Sequence, residues 1–372
     1  MLETIHEYAR EILQQGGEAP APRQGHAQYF LRLVEQVERE LLGPRHLAWM
    51  NRLEDEHDNI RAALRWALDT GAVEVALRLA GALWLFWWTH VHYREGRQWL
   101  EEALAQAQRG NEHPVAVPPK VYAKALNALG LMVQPLGEFA LAEKLFTESL
   151  AIFEQAGDRW WTAEVLQNLG VLVGNLGQIA RGQQLCEQSL AIWREVGEPF
   201  WGMGRALHNL AALAMERGDY EQAEHLFEES LALGADSGKH IQNLRNIQHL
   251  ARLRLRQRDY ARCASLLQDA LTQAQELGHK ETTVECLRDW AELLAASGQI
   301  ERAARLFGAV DAIYAANGLV EPPLDQTPSD EVRAALRAQV GEAVWHQAWQ
   351  EGRTMTLDAA ITYAFDKDPT PD

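Results

Sequence analysis

The densest run of chemistry in this 372-residue chain is basic. Between Lys239 and Arg262 stand seven Lys or Arg residues against the single acid Asp259, in a chain whose formal charge is −17. Arg245, Arg252 and Arg256 are spaced seven and four apart, which on an α-helix turning 100° per residue sets them within about 40° of one another. Gln248 and His249 flank that face, and Arg254 and Arg258 are expected to point away from it into solvent. Three guanidiniums on one stripe can clamp a carboxylate or phosphate with forked hydrogen bonds that Lys cannot reproduce. The stripe is therefore a candidate anchor for an acidic ligand or partner. The alternative is that it pairs with acids of a neighbouring segment, such as Glu285 and Glu292, or with another domain.

Other chemistry is sparse. "GADSGKH" from Gly234 has the wrong glycine spacing for a phosphate loop and places His240 where Ser or Thr would coordinate magnesium, so it reads as a turn. None of the thirteen histidines forms an HExxH or a zinc-spaced His/Cys set, and "EDEHDN" around His57 mixes like charges on a solvated helix face. No catalytic residue, metal ligand or cofactor is expected, and the chain reads as a non-enzyme. The acidic balance argues against nucleic-acid binding. Cys186, Cys263 and Cys286 have no paired spacing and read as reduced core thiols, hence a cytoplasmic location. The most apolar run, Leu79 to Trp88, is about half a membrane span.

The elements that must hold the basic stripe are repeats. From Pro119 to Gly318 one pattern of roughly 40 residues is written five times: Leu145, Leu185, Leu226, Leu266 and Leu306 keep the period. So do the breakers Gly137, Gly177, Gly218 and Gly298, with Arg258 standing where the fourth glycine is due. Small residues follow five places later, at Ala142, Gly182, Ala223, Cys263 and Ala303. Apolar residues recur at helical spacing on both sides of each breaker, so each unit is a helix–turn–helix that buries its face only by stacking. With "NALG…LGEFALAEKLFTESL", "QNLG…LGQIARGQQLCEQSL" and "HNLA…RGDYEQAEHLFEESL", the chain resembles the tetratricopeptide repeat family. The expected fold is an all-α, right-handed α-solenoid.

Helical segments frame the repeats. Residues 1–71 read as an N-terminal junction with helices over 1–15, Gln24 to Leu42 and His46 to Leu68; 72–110 as a diverged first repeat; 119–318 as the five regular units; and 319–372 as capping helices and tail. "GNEHPVAVPP" reads as a bend, and "VEPPLDQTPSD" as a connection to a helix from Glu331 to Gly352. A last helix starts near Leu357, capped by Thr356. Trp84, Trp87 and Trp88 share a helix face, with core packing and ligand stacking both open. By register only Trp88 faces the groove. Trp160-Trp161 and Phe200-Trp201 are expected to staple hairpins together.

A second resemblance spans nearly the whole chain. "MLETIHEYAREIL", "RLEDEHDNIRAALRWAL", "ALRLAGALWLFWW…REGRQWLEEAL" and "AWQEGRTMTLDAAITYAF" look like the region that follows the ATPase and winged-helix modules in bacterial STAND regulators of the LuxR and AfsR type. That resemblance implies a sensor and interaction arm, possessing neither the nucleotide site nor the DNA-reading helix, which would lie outside it. The implied partner is a protein, a peptide or a small-molecule inducer in the concave groove, with self-association in the assembled state; the alternative is a free-standing adaptor. The family's groove positions, carried onto this chain, are Asn127 and Gln134; Gln167, Asn168 and Asn175; Arg205, His208, Asn209 and Met215; and, in the fourth unit, Arg245, Gln248, Arg252 and Arg256, with Trp88 in the diverged one. Asn168 and Asn209 are equivalent by register, either binding partner backbone or making inter-repeat hydrogen bonds. On the first reading, alanine at both weakens binding and leaves the melting temperature almost unchanged.

Overall fold

The computed structural model describes residues 20–40, 45–109, 117–197, 202–233, 241–321 and 323–366. Among them are nineteen α-helices and no strand. Three helices precede the repeats: α1 (Pro20–Glu40), α2 (His46–Asp55) and α3 (His57–Asp69). The first repeat is α4 (Val73–Ala82), α5 (Trp84–His90) and α6 (Tyr93–Arg109). Five hairpins follow: α7 (Pro119–Val133) with α8 (Phe139–Gln155), α9 (Arg159–Asn175) with α10 (Ile179–Val196), α11 (Gly204–Glu216) with α12 (Tyr220–Leu233), α13 (Ile241–Arg256) with α14 (Tyr260–Glu276), and α15 (Lys280–Ala296) with α16 (Ile300–Asn317). Then come α17 (Pro323–Val340), α18 (Glu342–Gly352) and α19 (Leu357–Phe365). The fold is the expected solenoid of helical hairpins.

Each hairpin turn needs one residue in the left-handed region. Gly137, Gly177, Gly218 and Gly298 supply it at φ 79–83°, and Arg258 adopts it at φ 64° although it carries a Cβ. Five residues on, the small side chains let the two helices touch. At Gly182 a methyl group would lie 2.7 Å from the Gly170 carbonyl oxygen, so α9 and α10 meet backbone to backbone. Ser149, Ser189 and Ser230 add a bond of their own, each donating to a carbonyl of the hairpin's first helix, those of Ala123, Ala163 and Gly204, at 2.7–2.8 Å. In the last two hairpins Ala270 and Val310 hold that register place, and apolar packing replaces the bond. Phe146, Phe227 and Phe307 fill the seam between hairpins, each contributing about 2–3 kcal/mol by leaving water. The three cysteines are free and buried; burial pushes the thiols of Cys186 and Cys263 up to about 12, which makes them packing groups.

Several boundaries differ from the sequence reading. The helix expected over His46 to Leu68 breaks at Glu56, and the first helix of the diverged repeat breaks at Leu83. The last long helix starts eight residues earlier than expected, at Pro323, where a proline's missing N–H costs no intrahelical bond, and it is cut at Gly341 (φ 88°). Thr356 caps α19 as expected, accepting from the Ala359 N–H at 3.2 Å. Helix α18 lies directly on α16, with Gly308 and Gly352 at the backbone approach, and Phe365 of α19 stacks edge-on against Trp290. The expectations for 1–15, for "GADSGKH", for most of "GNEHPVAVPP" and for Phe200-Trp201 lie outside the described residues.

Candidate functional site

The solenoid winds until its first repeat meets its last. Helix α5 and the start of α6 pack against α15: Tyr93, the first residue of α6, donates its hydroxyl to Glu281 Oε1 at 3.3 Å, and the Trp88 ring of α5 lies edge-on to His279 with centroids 5.7 Å apart. Below them the Val320 N–H donates to the Pro135 carbonyl at 2.9 Å, bridging the end of α16 to the turn after α7. Between these contacts and the first helices of the units lies a partly open cavity of about 250 Å³. Its wall takes residues from α5, α7, α9, α11, α13 and α15, with Tyr93 of α6, Phe139 of α8 and Tyr314 of α16 added from second helices.

The cavity sorts the expected groove residues. Trp88, Asn168, Arg205, His208, Asn209, Arg245 and Arg252 line it, as do Gln134, Asn175 and Met215. Arg245 sits over the Trp88 ring at 5.3 Å. Four expected positions lie elsewhere. Asn127 is buried and accepts from Asn168 Nδ2 at 3.0 Å; Gln167 is buried within 3.4 Å of Ser189 Oγ; and Gln248 is buried and donates to Asp289. Arg256, 37% exposed at its side chain, lies 3.6 Å from Glu216 and lines a separate shallow pocket with Arg252 and Glu292. Arg258 is exposed as expected, but Arg254 is not solvated: it is 8% exposed and bound by Glu224 through both guanidinium nitrogens. Trp84, the first residue of α5 after the break at Leu83, also lines the cavity; Trp87 is core, packed on Gly96.

Side chains run between successive first helices as a ladder. Asn168 donates to Asn127 and accepts from Arg205 Nη2 at 2.9 Å; Arg205 also reaches Glu164 at 2.8 Å; His208 meets Asn246 at 2.7 Å, and Asn246 donates to Ser230. Asn168 thus makes the inter-repeat bond that sequence left open against partner binding. Of three further residues that line the cavity, Glu281 and Arg288 were not singled out from the sequence, and Glu285 was named only as a possible partner of the basic stripe. Glu281, Glu285 and Arg288 of α15 project into it at i, i+4 and i+7. Their signal was the register itself: one period on from Arg205 and Arg245 falls Glu285.

The wall is therefore mixed in charge. Burial pushes the Glu281 carboxyl up to about 8, with Glu285 adding to the shift, and Glu285 is raised by burial as well. Asp289 is pushed up to about 6 by burial, against Arg252 at 3.6 Å. Burial takes His208 and His279 down to about 3 and His249 well below its usual range, so these rings are neutral at pH 7. The Nε of Arg245 and Oε2 of Glu285 are buried with no hydrogen-bond partner among the described residues.

A second cluster lies on the outer side of α5. Glu54, His57 and His92 bring possible ligand atoms to within 4.8 Å of one another. The sequence reading of His57 as solvated is overturned, since it is 7% exposed and bonds Glu95 Oε1 at 3.1 Å. Burial alone would raise the Glu95 carboxyl, but hydrogen bonds from Arg61, His57 and Trp99 hold it well below its ordinary range.

Comparison with known proteins agrees with this architecture. The tetratricopeptide repeat family model matches residues 173–235. Over 163 residues the chain is 32% identical to proteins of Mycobacterium bovis and Mycobacterium tuberculosis provisionally named HTH-type transcriptional regulators, a match that takes in 42% of this chain and 18% of each relative. The chain thus spans less than a fifth of the length of these relatives. Among solved structures, NprR in complex with its cognate peptide NprX superposes with a TM-score of 0.55 at 14% identity, covering 77% of this chain and 78% of that one. A Rap protein complexed with competence and sporulation factor gives 0.53 at 10% identity, covering 87% and 99%. At such identities the likeness is one of fold. Among the described residues no helix is long and apolar enough to cross a membrane.

Proposed function

We propose that this chain is the non-catalytic sensor and interaction arm of a STAND-type transcription regulator, and that it binds a small anionic inducer inside the closed solenoid. The observation that carries the reading is the enclosure of cations and aromatics by the contact between α5 and α15. A cavity of about 250 Å³ admits a small molecule or a few side chains of a peptide, not a folded partner. Arg245, resting on Trp88 with its Nε free to donate, is the proposed anchor; Arg252 and Asn209 orient the ligand around it, and Asn168 holds the wall through its bonds to Asn127 and Arg205. At neutral pH Glu281 holds a proton, so a ligand carboxylate meets less repulsion than the count of acids suggests. The regulator context is supported by the 32% identity to the mycobacterial proteins. In this reading 1–71 joins the arm to its switch, 72–110 and 119–318 form the sensing solenoid, and 319–372 caps it. The test is native mass spectrometry of the purified chain beside Arg245→Gln: a small-molecule adduct on the wild type that the variant loses is expected. An adduct retained by a folded Arg245→Gln protein would remove Arg245 from the site.

A further inference from the structure

We infer that Glu54, His57 and His92 form a binding site for a divalent transition-metal ion of the zinc type. The three residues come from separate elements, the last turn of α2, the first residue of α3 and the turn between α5 and α6. His92 Nε2 lies 3.8 Å from Glu54 Oε2, the His57 and His92 ring centroids are 5.2 Å apart, and all three ligand atoms fall within 4.8 Å. Ligands around tetrahedral zinc sit about 2.0–2.2 Å from the ion, hence roughly 3.4 Å from each other. At the widest, the cluster needs a contraction of about 1.4 Å, part of which the half-exposed Glu54 side chain can supply by a rotamer change.

Two further observations point to a ligand. His92 Nε2 is buried without any hydrogen-bond partner, although it faces the Glu54 carboxylate. Finally, His57 is already oriented by Glu95, which is itself fixed by Arg61 and Trp99; this is the carboxylate-to-histidine support that metal-bound imidazoles use. Two imidazoles and one carboxylate suit zinc-like ions and not magnesium or calcium, which want oxygen alone. His90, whose Nε2 is 4.0 Å from Glu54, stands beside the cluster but outside the set of three mutually close ligand atoms, so water would take the fourth position. An ion here would pin α2 and α3 to the end of α5, the helix whose Trp88 walls the cavity.

The experiment uses the whole chain, stripped with a chelator and then titrated with Zn²⁺, with Co²⁺ as the spectroscopic probe. One equivalent bound by native mass spectrometry, intense visible Co²⁺ bands of a four-coordinate site and a raised melting temperature are expected. Affinity should fall at least roughly tenfold in His92→Ala and in the surface variant Glu54→Gln, which tests the site without disturbing the His57–Glu95 bond. Absence of uptake at micromolar Zn²⁺, or equal affinity in folded Glu54→Gln and His92→Ala proteins, would overturn the proposal.

Discussion

The Tyr93 hydroxyl donates to Glu281, 188 positions further along the chain, and this bond marks the place where the solenoid's first and last repeats meet. Tyr93 is 1% exposed, so the phenol is buried in that joint and not merely near it. The joint forms one side of the cavity, whose lining includes both Tyr93 and Glu281.

Tyr93→Phe removes the hydroxyl and leaves the ring. A buried hydrogen bond to a carboxyl group is worth about 1–2 kcal/mol. The variant is expected to melt a few degrees lower and to exchange backbone hydrogens faster in α5 and in the first turns of α15, with the middle hairpins unaffected. Uniform acceleration across all hairpins would mean the bond supports the whole fold rather than the closure.

The raised carboxyl of Glu281 has a signed consequence for stability. Its folded value of about 8 lies above the ordinary 4.5, so the folded chain holds this proton more tightly than the unfolded one. The stability it contributes is full below pH 4.5 and is lost as pH rises through about 8. Denaturant titrations should therefore show wild-type stability declining between pH 5 and 8, and Glu281→Gln, which cannot ionise, declining less. The lowered histidines work in the opposite sense, losing stability as pH falls from 6.5 toward about 3.

Asn168 and Asn209 share a register position but not an environment. Asn168 bridges Asn127 and Arg205, and alanine there leaves both buried groups short of a partner, at about 1–3 kcal/mol. Asn168→Ala should lower the melting temperature measurably, as the inter-repeat reading of this position requires and the partner-binding reading does not. If it does not, water has replaced the amide and the ladder is dispensable.

Arg245 and Arg256 should separate cleanly in binding. Loss of a charge-assisted hydrogen bond weakens an anionic ligand by about 1.5–3 kcal/mol. Arg245→Gln is expected to lose roughly ten- to a hundredfold in affinity for whatever ligand the native chain retains, and Arg256→Gln, which lies outside the cavity, less than twofold. Calorimetry with the eluted ligand decides; equal losses would return the anchor to the whole stripe.

Arg258→Gly tests the hairpin turn. At φ 64° an exposed arginine carries a backbone strain of about 1 kcal/mol that glycine would not. The substitution should raise stability by about 0.5–1 kcal/mol, and a loss would show that the arginine side chain offsets its own strain.

The repeats were legible because their physics is local: a glycine at each turn, a small residue five places on, and a leucine beside an apolar partner can be seen in any linear copy, and the irregular Arg258 betrayed its left-handed turn by position alone. Helical geometry likewise aligned Arg245 with Arg252. What the sequence could not decide was the curvature summed over six units, because the rotation between neighbouring hairpins depends on side-chain volumes packed in three dimensions. That accumulated rotation brings Tyr93 to Glu281 and Val320 to Pro135, turns an open groove into a cavity, and sets acids from α15 against the arginines of α13. The same holds for Glu54, His57 and His92: their spacing in sequence matches no metal motif, and only the breaks at Glu56 and Leu83, with the left-handed turn at Val91, place them around one point.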